Sequence, residues 1–392
     1  MNDSSTRSVL VAFVLASMLG LAGCANGESA EGGELSPGSL VTHRALATAA
    51  ALPSAVRTEL ITYVSEDAAG QPVLVSGTVA IPRGDAPEGG WPVVSWAHGT
   101  TGVGDACAPS ADTVGGPAHS YVSRAGAMLD RWVADGYVVV QTDYEGLGTP
   151  GGHPYMNGES ARNSVVDIVR AARELDAGVG SRWTVMGHSQ GGHAALYTAA
   201  GGLDRAPELE LQAAVVLAPG SRTSDVAGFF ASGGPGIEQA LSFLPVLLLG
   251  AEAADPSLSA DAMLTDTARP LLSAARTGCM DDVRAVADTV PVDNLFAPDA
   301  EMSRIGEYYA TQELESLTPV VPTLVVQGTA DVLVSRAATD RITEALCGNG
   351  AALTYSVYDG ADHRGVDLGR VRGGLQRVGD DQPADAAAGA GG

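Results

Sequence analysis

Ser189 lies in Gly187-His188-Ser189-Gln190-Gly191-Gly192, behind the apolar run 183–186 and ahead of the helix-like segment 193–200. A glycine two residues to either side of a serine, between a strand and a helix, fits a nucleophile elbow. Such a turn lifts the hydroxyl above the sheet edge, and strand and helix then crowd both glycine positions so closely that a Cβ would not fit. With 50 glycines in the chain the bare pattern carries little weight, so its meaning rests on partners. A serine becomes a nucleophile when a general base lies within hydrogen-bond reach and an acid orients that base. Two later loops supply the residue types. Gln327-Gly328-Thr329-Ala330-Asp331 directly follows a strand-like run, and Tyr358-Asp359-Gly360-Ala361-Asp362-His363 follows the next one, a helix later. Ser189, Asp331 and His363 are therefore a candidate triad for acyl transfer, on loops at the carboxyl ends of strands, where ligands of open α/β sheets gather.

The competitors fit less well. His188 and His193 flank the serine but point elsewhere, while His43, His98, His119 and His153 all precede it. Asp359 and Asp362 share a loop with His363 and are badly placed to reach its Nδ1. Acyl transfer also needs two backbone donors aimed at the developing oxyanion. One is expected from Gln190, the residue after the nucleophile. The other is expected from the loop Ala97-His98-Gly99-Thr100-Thr101-Gly102, with Thr100 the donor and Thr101 the alternative. The glycines of Gly146-Leu147-Gly148-Thr149-Pro150-Gly151 spell a dinucleotide fingerprint, but three residues separate them from the strand and no helix starts before about 159. A pyrophosphate would have no helix N-terminus to sit on, so the segment reads as a rigid supporting loop. Histidine and cysteine spacing suggests no metal centre, and the chemistry requires no cofactor.

The elements that must position these residues alternate. Runs 58–65 and 72–82 read as an antiparallel hairpin around Asp67-Ala68-Ala69-Gly70, and 92–97 as a buried strand. A helix at 121–134, strand at 137–142, helix at 159–175, strand at 183–187 and strand at 213–217 follow. The rhythm resumes with strand 323–327, helix 336–346 and strand 353–358. This alternation predicts an α/β fold with a mostly parallel, doubly wound sheet. The interruption at 219–317 has helical and loop character and reads as an inserted cap, leaving 55–218 and 318–366 as the core. Within it, 237–250 could line an acyl tunnel or form a buried cap helix broken by Pro245.

The net charge of −24 argues against a nucleic-acid partner, since nothing would offset phosphate repulsion. Arg7, an apolar run too short for an ordinary spanning helix, and Leu21-Ala22-Gly23-Cys24 resemble a bacterial lipoprotein signal over residues 1–24. Cys24 would carry the lipid and anchor the exported protein to the cell-envelope membrane; a plain secretory signal would export it too. Residues 25–54 are expected to form a flexible tether, and 367–392, rich in Gly, Asp and Ala, a disordered tail. Export permits disulfides, and Cys107, Cys279 and Cys347 allow one bridge at most, leaving its partners open.

Taken together, His98–Gly102, 142–151 with His153-Pro154-Tyr155, Gly187–His193 and Gln327–Asp331 resemble, in that order, the secretory lipase family. The resemblance spans about residues 55–366. It implies an α/β hydrolase with a helical cap, acting on carboxylic esters including acylglycerols, and matches Ser189, Asp331 and His363 to the family triad. By similarity to fungal members, Cys107 would pair with Cys279. The sequence departs from the pattern after His363, where an amphipathic closing helix is expected and none is read. Fold and triad do not fix the acceptor, so a serine peptidase or acyltransferase is the alternative, as is an inactive lipid-binding lipoprotein.

Overall fold

Each central strand is a short run of β-branched and small apolar residues, and alternate side chains enter different cores. Val138 and Val140 join one apolar cluster, while Val139 joins another. Val93 and Val185 likewise part from Val94 and Met186. That division is what a strand buried on both faces produces, because successive Cβ atoms point to opposite sides. The computed structural model describes residues 36–365 except 222 and 233–235. The expected signal segment, Cys24 and the tail at 367–392 lie outside the described residues.

Among the described residues nine strands form one sheet: β1 (Leu40–Ala45), β2 (Arg57–Glu66), β3 (Pro72–Ile81), β4 (Trp91–Ala97), β5 (Val138–Thr142), β6 (Val179–His188), β7 (Glu210–Leu217), β8 (Thr323–Gly328) and β9 (Leu353–Tyr358). Their spatial order is β1-β2-β3-β5-β4-β6-β7-β8-β9. Pairs from β1 to β5 in that order are antiparallel, and all the pairs beyond are parallel. The β2–β3 hairpin turns where expected: Asp67 Oδ1 accepts from the N–H groups of Ala69 and Gln71, both at 2.8 Å, and Gly70 takes a φ of +76°.

Helices cover both faces. On one lie α1 (His119–Ala134) and its Met128, Leu129 and Val133. On the other lie α2 (Gly158–Leu175) and α3 (Gln190–Arg205), whose Val165, Ile168 and Leu196 are fully buried. Asn157 caps α2 by accepting from Ser160 N–H at 3.0 Å.

Between β7 and β8 come α4 (Val226–Ala231), α5 (Ile237–Ala240), α6 (Leu244–Ala254), α7 (Ala260–Met263), α8 (Pro270–Thr277), α9 (Met280–Ala287) and α10 (Met302–Ala310); α11 (Arg336–Gly348) follows β8. The helices α4 to α10 share an apolar cluster with Tyr155 and Met156, with Leu244, Leu248, Leu271, Leu272, Ile305 and Tyr309 buried within it. The helical run divides before Pro245, which lies in the first turn of α6, where its missing N–H costs nothing. Most of 237–250 is buried, as in the buried-helix reading, and Ala240, Phe243 and Leu247 line a cavity.

One expectation needs correction. Residues 36–54 do not form a tether, because β1 pairs with β2 from Leu40↔Tyr63 to Ala45↔Glu59. Its side chains are mostly exposed, so the strand rests on backbone pairing and carries no apolar code. The bridge between Cys107 and Cys279 is formed, with an S–S distance of 2.11 Å and Cα atoms 5.5 Å apart. Cys347 is free and exposed.

Candidate active site

Parallel pairing brings the carboxyl ends of β4, β6, β7, β8 and β9 to one edge, and every candidate residue lies there. Ser189, between β6 and α3, has φ +57° and ψ −116°, a conformation that costs a non-glycine residue about 1–3 kcal/mol. Packing enforces it. A Cβ on Gly187 would stand 1.9 Å from Gly191 O, and one on Gly191 would stand 1.8 Å from Ala97 O. The serine's backbone is also tied on both sides, Ser189 N–H donating to Leu217 O at 2.9 Å and Ser189 O accepting from Gly220 N–H at 2.9 Å.

Asp331 and His363 meet from neighbouring loops. Gly328 permits this, since a Cβ there would lie 2.1 Å from Ala361 O, and Ala330 N–H donates to Ala361 O at 3.0 Å. His363 Nδ1 lies 2.8 Å from Asp331 Oδ2, so the imidazole carries its proton on that nitrogen and leaves Nε2 as the basic atom. Asp331 Oδ1 accepts from the N–H groups of Leu333 and Val334, both at 2.9 Å, and Gln327 Nε2 donates to Oδ2 at 3.1 Å. Burial raises the Asp331 pKa, but these bonds, led by the one from His363, leave it below the ordinary carboxylate value. The two rival carboxylates are engaged elsewhere: Asp359 accepts from the Thr329 hydroxyl and Asp362 from Arg364 N–H.

Ser189 and His363 face a common cavity of about 520 Å³. Its walls come from Tyr155 and Met156, from Phe229, Phe230, Phe243 and Leu247 of the helical layer, and from Val332–Ser335 beside Asp331. An apolar chamber opening on a serine hydroxyl has the character that the acyl part of an ester needs.

Gln190 opens α3, so its N–H has no intrahelical partner and is available to an anion. The first turn of α3 abuts the loop after β4, because a Gly191 Cβ would also approach His98 O to 2.8 Å. Thr100, on that loop, pairs its hydroxyl with Tyr155 OH at 2.7 Å. Several residues here have roles that sequence reasoning did not give them. His153 Nδ1 donates to Glu145 O at 2.8 Å, which makes its Nε2 the acceptor for the Gln190 amide, also at 2.8 Å. Glu145 and His153, on either side of the loop 146–151, thus fix the side chain of Gln190. Tyr144, with φ +70°, lies between His98 and His153 and donates its hydroxyl to His98 O at 3.0 Å. His193 donates through Nε2 to Gln312 O at 2.7 Å, joining α3 to the chain after α10. His188 donates through Nε2 to His363 O, also at 2.7 Å. The signal for these contacts is tertiary, apart from the histidines' nearness to the serine.

The helical layer is fastened beside the loop after β4. Next to the Cys107–Cys279 bridge, Met280 N–H donates to Thr101 O at 3.0 Å, and Gly102 pairs with Cys279.

Comparison with known proteins gives a consistent result. The profile of the family described as "Secretory lipase" matches residues 121–366, well over half of the chain. Lipase A of Candida antarctica superposes with a TM-score of 0.74 at 18% identity, over 89% of this chain and 84% of that one. The rice cell wall degrading esterase LipA from Xanthomonas oryzae superposes with a TM-score of 0.66 at 19% identity, over 88% and 97%. A putative hydrolase from Legionella pneumophila gives 0.67 at 20% identity, over 88% and 100%. No curated protein matches by sequence.

Proposed function

We propose, for a chain that belongs to the secretory lipase family and is thus an exported serine hydrolase of carboxylic esters, that Ser189 is the nucleophile, His363 the general base and Asp331 its orienting acid. The observation that carries this reading is the Asp331–His363 bond opening on the same cavity as the strained serine. Ser189 Oγ attacks the ester carbonyl while His363 Nε2 takes its proton, and Asp331 stabilises the imidazolium. The backbone N–H groups of Gln190 and Thr100 hold the tetrahedral oxyanion. His363 then gives the proton to the leaving alcohol, an acyl-serine remains, and a water activated by the same imidazole releases the acid.

The same reading makes 219–317 a cap inserted into a core of 55–218 and 318–366, with its apolar wall receiving the acyl chain. It also makes Leu21-Ala22-Gly23-Cys24 the processing site of a lipoprotein, tethering the enzyme to the envelope membrane through Cys24. Incorporation of labelled palmitate in a bacterial host, lost in Cys24→Ser, is the expected outcome for that part.

Hydrolysis of p-nitrophenyl butyrate and palmitate tests the enzyme assignment, and Ser189→Ala tests the nucleophile. Replacing Ser189 by Ala should lower kcat by about 10⁵-fold or more. Turnover that survives in a folded Ser189→Ala protein would remove Ser189 from the mechanism.

A further inference from the structure

We infer that His188 is a positioning residue for the reaction, holding the backbone of His363 at the site and tying it to the oxyanion loop through Tyr121. The inference rests on the triad reading above. Its basis is a run of hydrogen bonds whose direction is fixed at every link. The backbone N–H of Gly99 can only donate, and it donates to Tyr121 OH at 2.6 Å. The carbonyl oxygen of His363 can only accept, so His188 Nε2, 2.7 Å away, carries the proton. His188 Nδ1 is then an acceptor, and the Tyr121 hydroxyl, 3.2 Å away, donates to it. The polarity runs one way, from the loop expected to hold the oxyanion, through Tyr121 and His188, to the residue that moves the proton. Bonds aligned in this sense polarise and reinforce one another.

Packing leaves these groups little freedom. Tyr121 and His188 stack with ring centroids 5.7 Å apart, and the His188 ring lies 4.7 Å from that of His363. A Cβ on Gly99 would come within 2.7 Å of Tyr121 OH and 3.1 Å of His188 Nδ1, so this glycine allows the approach. Arg364, the next residue after the base, places its guanidinium 5.6 Å from the Tyr121 ring centre. His188 itself is buried, and burial followed by the charge of neighbouring His363 lowers its pKa to about 3. It stays neutral at working pH and does not place a second positive charge beside the imidazolium formed on His363.

The function of such a bond follows from geometry. Besides the Arg364 contact with Tyr121, the His363 loop is braced by hydrogen bonds within itself and to the loop after β8, including Gly365 N–H to Asp362 O and Ala330 N–H to Ala361 O. The bond from His188 joins it to the residue next to Ser189, so base and nucleophile share a fixed reference. A displacement of about 1 Å between reacting groups costs on the order of 100-fold in rate.

The test compares two amides in the full chain. In His188→Gln the amide nitrogen reaches the Nε2 position and can donate to His363 O; in His188→Asn it reaches only the Nδ1 position. Expected for His188→Asn is a fall in kcat on p-nitrophenyl butyrate of about 100-fold, with KM within about twofold and a slower reaction with a fluorophosphonate probe. Gln should restore most of the rate. Tyr121→Phe, which keeps the packing but breaks both hydroxyl bonds, should show a smaller fall in kcat, again without a change in KM. An unchanged kcat in His188→Asn overturns the inference. So does a loss that Gln fails to restore and that tracks a fall in Tm, which would mark His188 as packing alone. If the His188 variants fail to fold, an unchanged kcat in Tyr121→Phe overturns it. Ser189→Ala and His363→Ala run alongside: turnover in either removes the triad reading, whereas two inactive controls with an active His188→Asn remove this inference only.

Discussion

At the elbow, order comes from backbone crowding. The positions of Gly187, Gly191 and Gly328 leave no space for one methyl group, and Ser189 keeps a positive-φ backbone between strand and helix. In the cap, order comes from side chains, with Leu244, Leu248, Leu271 and Leu272 buried in an apolar cluster separate from those on the sheet. Burial of such a side chain stabilises by about 1.5–3 kcal/mol but has no direction. The difference teaches where the enzyme can vary. On the proposed function, chemistry falls where angstroms are fixed by backbone, and substrate selection where volume can be redistributed.

Asp331→Asn should break the contrast hardest. With the acid neutral, His363 loses the partner that fixes its tautomer, and kcat should fall by about 10⁴-fold while Tm stays near wild type. A fall below tenfold in a folded variant would mean that the pair is structural. Removing the bridge with Cys107→Ser and Cys279→Ser should cost about 5 kcal/mol, given a sequence separation of 172 between the cysteines. Calorimetry should show Tm lower by on the order of 10 °C. An unchanged Tm would show that packing alone seats the cap.

Filling the cavity from the cap side sharpens the contrast. Ala240→Leu should lower the palmitate-to-butyrate rate ratio by about tenfold while butyrate turnover changes by no more than about twofold. An equal loss on both esters would place Ala240 in the chemistry rather than the selection.

The smallest effect is set by pH. Burial lowers His98, His153 and His193 to about 4 and His188 to about 3, against an ordinary value of 6.5. The unfolded chain takes up protons between pH 6.5 and about 4 that the folded chain refuses, so stability falls as pH drops through that window. Asp331, held below its ordinary value, adds a further loss as pH falls past 3.8. The buried Asp143, Glu145 and Asp167, raised chiefly by burial, pull the other way from the carboxylate range upward. The four histidines should outweigh them, giving a lower Tm at pH 5 than at pH 7.5. A higher Tm at pH 5 would reverse that ranking.

What the sequence disclosed follows the same division. The parallel strands were legible because burial on both faces demands continuous apolar runs, as in Val138-Val139-Val140. The elbow was legible because its steric constraint falls on residues within two positions of the serine. β1 was not, since Leu40–Ala45 is an exposed edge held by backbone bonds that any sequence can make. The contacts of His153 with Gln190 and of Tyr121 with His188 join residues 37 and 67 positions apart, and no local pattern records them. Gln327 stands four residues from Asp331, yet its amide matters only because the loop folds back onto it.

The crowding at Gly191 has one more consequence. It exists only when β4, β6, β7 and α3 have all come together, since it sets the helix against Ala97 O while the serine's N–H reaches Leu217 O. Before that moment residue 189 is an ordinary serine in an ordinary backbone, with no base beside it. With Ser189 and His363 acting as proposed, a half-assembled chain would be chemically silent toward the esters around it, and hydrolysis would itself report that the sheet is complete.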